Sequence, residues 1–437
     1  FLRDADRRRL DGEFGLRLDI PTESAEAEFF YETVTRARER LLLTRPRLAE
    51  NGAPWQASPY WEQVRRLVRI KPQSLTSESP VPPEEAASWP ELLESLARHP
   101  GDAPLRDWVR QSQPGRQEAL ESAVQVLHLR QSRAAGSPYD GDLIGLAGEF
   151  AHRFAADQPW SASRLESYRA CPFFFFAGNV LNLEPREEPA EGLDARQLGN
   201  TYHLILEKVY QAPSVSDPTD LDQLLAALPG AAGAVLDAAP EREGFRETAW
   251  WDQTREEIIQ NVQRSLEALA KLPGNFVPVE YEAVFGLHDH PALVIHDGED
   301  HFLLRGFIDR VDGAPDGSIR VIDYKTGGPS PYGKIDVAKG KKLQLPLYAL
   351  AARDALQLGE PVEGFYWHVR HAERSGFTMS RFDGGPEAAM DTAVAMAWEA
   401  VRSARDGHFV PKPPDGGCPA YCPAVAFCWH LRPGFWG

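Results

Sequence analysis

Polar and apolar positions alternate with period two along residues 302–325, FLLRGFIDRVDGAPDGSIRVIDYK, and the run is interrupted at Pro315-Asp316-Gly317. A period of two belongs to a β-strand, and Pro-Asp-Gly supplies a tight turn, so the stretch predicts a β-hairpin. With the loop centred on Asp316, residues whose numbers sum to 632 face each other, and Asp309 stands across from Asp323. Asp323 and Lys325, two apart, project to the same side. Elsewhere the pattern predicts a helix capped by Ser161 or Ser163 and running toward Cys171, a helix through Val209, and another over 255–271. Strands are expected at 279–287, 301–312, 319–325 and 363–370, with helices at 342–357 and 386–406. This mixture predicts an α/β fold in which a mixed central sheet is flanked by helices on both faces. Before it, residues 91–157 read as mostly helical, with Leu92, Leu93, Leu96, Leu120, Val124 and Leu127 at helical spacing. Residues 49–90, rich in Pro, Ser and Gly, read as a connector with short helices. Residues 29–44 read as a helix followed by a strand-like end. Three parts are therefore expected: 1–48, a helical connector at 49–160, and 161–437.

Charge narrows the partners. A net charge of −17 argues against wrapping DNA by bulk attraction. A local basic edge remains possible at Lys334, Lys339, Lys341 and Lys342, where it would track phosphates; by themselves these residues read as a solvated lysine-rich loop. No apolar run is long enough to span a membrane, and no signal-peptide layout precedes the first helix, so the expected location is cytoplasmic. The sequence begins at Phe1 rather than Met and is expected to be the C-terminal piece of a longer polypeptide.

Two carboxylates facing each other across a hairpin are stable as anions only with a cation between them. A hard divalent ion with oxygen ligands is the expected occupant, and Lys325 stands beside it. That combination is the core of a metal-dependent phosphodiesterase. The four cysteines, Cys171, Cys418, Cys422 and Cys428, all lie beyond residue 170. Without an export signal a disulfide is not expected, which leaves zinc or an iron–sulfur cluster, and spacing does not separate the two.

Asp309 followed by Ile322-Asp323-Tyr324-Lys325 resembles the PD-(D/E)XK nuclease motif in its RecB/AddB form. Leu198-Gly199-Asn200-Thr201-Tyr202-His203 is similar to the Gly-x-x-x-His helix of that family, and Gln344-Leu345-Pro346-Leu347-Tyr348 to its Gln-x-x-x-Tyr helix. The resemblance covers residues 161–437. It implies a DNA nuclease with Asp309, Asp323, Lys325, Gln344 and Tyr348 as catalytic residues. It also implies an Mg²⁺ or Mn²⁺ site formed by His203, Asp309, Asp323 and the Tyr324 carbonyl. Imidazole is the softer ligand and tilts that site toward Mn²⁺. Glu282 matches an acidic position on the preceding strand and could support the site.

For the cysteines the resemblance implies a structural 4Fe-4S cluster, although three residues separate Cys418 from Cys422 where the family usually has two. Residues 29–44 resemble the last motif of UvrD-like superfamily 1 helicases, with Arg36 at its arginine. However, no Gly-x-x-x-x-Gly-Lys-[Ser/Thr] loop is present, so the chain as given is not a complete ATPase. The resulting expectation is a nuclease acting on single-stranded DNA ends in double-strand-break processing, with a helicase-nuclease partner subunit. A non-catalytic DNA-binding scaffold and a stand-alone CRISPR-associated-type exonuclease are the alternatives.

Overall fold

The structure, a computed structural model, describes residues 4–16, 26–48, 54–68, 72–74, 81–98, 102–132, 136–184, 192–245, 247–328 and 333–432. The chain divides into two compact units, Phe1–Leu120 and Glu121–Gly437. The first contains α1 (Asp4–Phe14), α2 (Glu26–Thr35), α3 (Pro59–Val68), α4 (Trp89–Arg98) and α5 (Ala103–Ser112), and α6 (Pro114–Ser132) follows. Its buried centre includes Leu96 and Val109, beside a stacked Trp89–Trp108 pair. The strand-like end expected after α2 is not a strand. Residues 40–46 have no regular structure, because an alternating segment becomes a strand only when a partner pairs with it. Arg36 follows α2 on the surface and pairs with Glu32 one turn back, at 3.4 Å.

The second unit contains α7 (Ala147–Arg153), α8 (Ala162–Ala170), α9 (Pro172–Phe175), α10 (Ala195–Tyr210), α11 (Leu221–Asp237), α12 (Ala239–Glu243) and α13 (Ala249–Leu269). Strands β1 (Val277–Phe285), β2 (Leu293–Asp297), β3 (Asp300–Leu304), β4 (Gly306–Gly313) and β5 (Ser318–Lys325) come next. Then follow α14 (Lys334–Ala338), α15 (Gln344–Asp354), β6 (Glu360–His368), β7 (Glu373–Thr378) and α16 (Gly385–Arg405). Among the described residues no helix is long and apolar enough to cross a membrane.

The main sheet has the order β1-β4-β5-β6-β7, with β5 and β6 parallel and the other neighbours antiparallel. Its two faces bury separate cores, as the α/β reading expects. Ile319, Val321 and Tyr366 pack with α15 and α16 and with Trp160, Phe175 and Phe409. Ile322, Tyr324, Phe365 and Trp367 pack with Ile205 and Val209 of α10, Val235 of α11, and Val262 and Leu266 of α13. Each large side chain so buried contributes about 1.5–3 kcal/mol.

The expected 301–312 strand is two strands. Trp160 receives the backbone at the break: its N–H donates to Leu303 O at 2.8 Å, and Arg305 N–H donates to Trp160 O at 2.9 Å. β3 therefore leaves with β2 in a two-stranded sheet while β4 stays in the main one. The β4–β5 hairpin has the register expected from its turn, with Arg310 opposite Ile322 and Asp312 opposite Arg320. Asp316 Oδ1 accepts from Ser318 N–H at 3.0 Å, and Gly317 takes φ +84°. Beneath the sheet, Asp312 is buried between Arg310 (2.5 Å) and Arg320 (2.6 Å), and Arg310 also donates to Tyr210 Oη at 2.6 Å. A one-residue slip would strand these charges in the interior, so the cluster locks the β4–β5 register.

The unit closes on itself. Leu143 N–H donates to Gly407 O at 2.9 Å, Phe409 N–H to Gly141 O at 2.7 Å, and His430 Nε2 lies 3.0 Å from Asp140 Oδ2. Gly141 has φ +98°, and a Cβ there would run into Phe409 O at 2.2 Å, so only glycine allows this approach. Tyr168 Oη donates to His408 O and fastens α8 to the same tail.

Candidate active site

The register lock carries Asp309 and Asp323 to the position just beyond the Arg310–Ile322 pair, on neighbouring strands. β1 adds a third acid. It pairs Tyr281 with Arg310 and Ala283 with Ile308, so Glu282 falls beside Asp309 on the side away from Asp323. Three carboxylates thus form a row across three strands. Glu282 has a left-handed backbone, φ +48°, within a strand. That conformation costs about 1–3 kcal/mol in a residue with a side chain, so the surrounding structure must hold it.

Cations face the row from α10 and from β5, and α15 adds neutral polar groups. His203, on α10, lies with Nδ1 3.3 Å from Asp309 Oδ1 and 3.5 Å from Glu282 Oε1. Its ring meets that of Tyr324 edge-on at 5.7 Å. Tyr324 N–H donates to Asp309 Oδ2 at 2.5 Å, which fixes that carboxylate to β5. Lys325 Nζ pairs with Asp323, donates to Gln344 Oε1 at 2.9 Å, and sits 5.5 Å over the Tyr366 ring. Tyr348, one turn along α15 from Gln344, is buried with its ring edge-to-face on Phe285. The expected buried stripe of Leu343, Leu347 and Leu350 holds that helix down.

Burial and neighbouring charge set the protonation. Burial pushes the Asp323 carboxyl up to about 7; Lys325 pulls it down and Asp309 adds to the rise. Burial would also raise Asp309, but His203 and Lys325 outweigh it and hold that group below the ordinary carboxylate value. For His203, burial favours the neutral ring, yet Asp309 and Glu282 raise its pKa to about 10. Burial, reinforced by Asp323 and Asp309, raises the Tyr348 phenol, so its hydroxyl keeps its proton and can donate.

The row is suited to a divalent cation. Ligand atoms of His203, Glu282 and Asp309 lie within 4.8 Å of one another. Asp323 Oδ1 is buried and has no hydrogen-bond partner among the described residues. A buried anionic oxygen without a partner is costly, and a cation would satisfy it.

Comparison with known families agrees with this geometry: residues 159–429 match the PD-(D/E)XK nuclease superfamily. The chain belongs to the PD-(D/E)XK nuclease superfamily. Nucleases of this superfamily use divalent metal ions, and the carboxylate row with its histidine offers oxygen and nitrogen donors for one. The chain is similar to a subunit of the ATP-dependent helicase/deoxyribonuclease of Desulforamulus reducens, 28% identical over 376 residues, covering 79% of this chain and 31% of that protein. The protein of the same name from Moorella thermoacetica is 28% identical over 374 residues, with 78% and 31% covered. That from Thermoanaerobacter sp. is 31% identical over 209 residues, with 43% and 17% covered. The chain spans about a third of the length of the first two of these relatives.

In this PD-(D/E)XK unit the lysines named from sequence lead into α15. Lys334 pairs with Asp383 at 2.5 Å, Lys339 and Lys341 are exposed, and Lys342 lies 3.9 Å from Glu166. Glu166 and Tyr366 are neighbours of the site that sequence reasoning did not single out. No spacing rule links Glu166 on α8 to a helix 177 residues away.

The four cysteines, all free thiols, meet at the far end of α8. Cys171 ends that helix and, with Cys418 and Cys422, lines one cleft, while Cys428 packs against Cys422, Ala177 and Ala424. Burial raises the Cys422 thiol, and raises that of Cys428 to about 11; the neighbouring cysteines add to both shifts. Lys412 N–H donates to Cys171 Sγ at 3.3 Å and Arg432 N–H to Cys418 Sγ at 3.5 Å.

Proposed function

We propose that this chain is the nuclease part of a helicase–deoxyribonuclease subunit. It hydrolyses phosphodiesters of single-stranded DNA ends, with a helicase-nuclease partner subunit, in double-strand-break processing. The observation that carries the reading is the carboxylate row Glu282–Asp309–Asp323 with Lys325 beside it and a buried oxygen of Asp323 left without a partner. The names of the relatives support a DNA substrate and a second subunit.

In this reading His203, Glu282, Asp309, Asp323 and the Tyr324 carbonyl would hold Mg²⁺ or Mn²⁺. The ion would supply a more acidic water and neutralise charge on the phosphate. Lys325, steered by Asp323 and Gln344, orients the attacking water and donates to the phosphate oxygens as they gain charge. Tyr348, which keeps its proton, donates a hydrogen bond from the same helix face. Cys171, Cys418, Cys422 and Cys428 hold a 4Fe-4S cluster that fastens the tail to α8.

The test is digestion of end-labelled single-stranded DNA with Mg²⁺ or Mn²⁺. Lys325→Ala is expected to slow cleavage by about a hundredfold or more while Mn²⁺ binding persists. A Lys325→Ala chain that cuts at the parent rate would remove lysine from the mechanism.

His203 gives a separate signature. A metal must displace its proton, so Mn²⁺ affinity should rise with pH over about pH 7 to 9, by up to tenfold per unit. His203→Ala should flatten that rise and shift preference toward Mg²⁺. Calorimetric titration at several pH values decides it; an unchanged slope in the variant would exclude His203 as a ligand.

A further inference from the structure

Helix α15 begins without a cap of its own. Leu343, at its N-cap, offers no side-chain oxygen, and Pro346 in its first turn has no N–H. The run Leu345–Ala352 is buried, so water is a poor substitute for the missing partners. Each amide at this end is nonetheless accounted for. Leu343 N–H and Gln344 N–H both donate to Glu166 Oε1, at 2.7 and 3.0 Å. Leu345 N–H donates to Tyr366 Oη at 3.4 Å, and Leu347 N–H to Leu343 O at 3.1 Å. A carboxylate is the strongest available cap here, because it accepts charge-assisted hydrogen bonds and meets the positive end of the helix dipole.

Glu166 is supplied by α8, and what it holds is the residue that holds Lys325. Gln344 receives Glu166 on its backbone and Lys325 Nζ on its side chain, at 2.9 Å. We propose that Glu166 is a positioning residue: by capping α15 from α8 it fixes Gln344 and, through Gln344, the ammonium of Lys325. Its own contacts are the two α15 amides and, at 3.9 Å, Lys342 Nζ. Since α8 ends at Cys171, the same carboxylate makes the cysteine-bearing helix a support of the lysine. The catalytic consequence rests on the nuclease reading above; the placement of Lys325 does not.

The experiment compares Glu166→Ala with Glu166→Gln, which keeps an acceptor oxygen, in the full chain. On single-stranded DNA, Glu166→Ala should lower kcat by about tenfold or more, since small misplacements of a catalytic group are costly, with KM within about twofold. Glu166→Gln should recover most of the loss. Amide exchange at Leu343 and Gln344 and acylation of Lys325 by acetic anhydride should both accelerate in Glu166→Ala. A Glu166→Ala chain with the parent kcat, or one that loses only KM, would overturn the proposal. So would equal losses in both variants accompanied by lower melting temperatures, which indicate a structural role alone. If the parent chain does not cut DNA, the nuclease reading fails, and Lys325 acylation decides by itself: faster labelling in Glu166→Ala sustains the positioning role and unchanged labelling ends it.

Discussion

Asp323→Asn will reduce metal-dependent cleavage of DNA by about a thousandfold or more, and the metal-free variant will melt no lower than the parent. Both halves follow from one carboxylate. Asp323 is fully buried in the middle of the sheet, beside Asp309, with one oxygen unpartnered. Even beside Lys325 its negative charge is a liability to the fold, because burial outweighs the ion pair, and it is a requirement for holding a metal ion. The pH dependence carries the sign. Burial raises the folded-state pKa to about 7, whereas an unfolded aspartate titrates near 3.9. Between these values the folded chain binds more protons than the unfolded one, so stability falls as pH rises from about 4 to about 7 and is then level. The amide has no such decline. In chelator, the Asn variant should therefore gain on the parent up to about pH 7 and lose the advantage near pH 4. Thermal melts across that range, paired with the DNA digestion, make the check. Retained cleavage would remove Asp323 from the site, and an advantage that grows on acidification would contradict its raised pKa.

Cys428→Ser will lower the melting temperature by on the order of 10 °C and release iron and sulfide from the purified chain. In the proposed reading a centre ligated by all four cysteines would join Cys171, at the end of α8, to the tail at 418–428. Such a centre binds the folded chain far better than the unfolded one, so losing a ligand removes binding energy from folding. Burial keeps the Cys428 thiol protonated in the absence of metal, and serine is still harder to deprotonate. Metal analysis and differential scanning calorimetry together decide the case. Full iron content with unchanged melting would reject the cluster's structural role, and stoichiometric zinc in place of iron would reject the cluster itself.

The hairpin and its acids were legible because the relevant physics is local. A turn centred on Asp316 fixes the register, and the register fixes which side chains face each other. The Gln344–Tyr348 pair was legible for the same reason, since a spacing of four shares a helix face. What escaped depends on distant partners. The 301–312 run divides at Arg305 because Trp160 pairs with the backbone there. α11 contains Pro229, which reads as a break, yet Leu224, Leu228, Val235 and Leu236 bury enough surface to carry the helix through it. β2 and β7 are short strands on the edges of the pattern. The placement of Glu282 beside Asp309 needs the β1–β4 pairing, and its positive φ has no sequence signature. Glu166 is the extreme case, a single carboxylate whose role exists only once α8 and α15 meet.

The contacts of residues 140–143 with 407–409 and His430 bring the entrance and the exit of the nuclease unit to one place. A domain with adjoining ends hangs from its polypeptide at a single point, like a loop tied at the neck. Strain applied at this closure is met first by its own hydrogen bonds, Leu143 to Gly407 and Phe409 to Gly141. The three acids, each on a different strand, keep their spacing as long as the sheet itself holds.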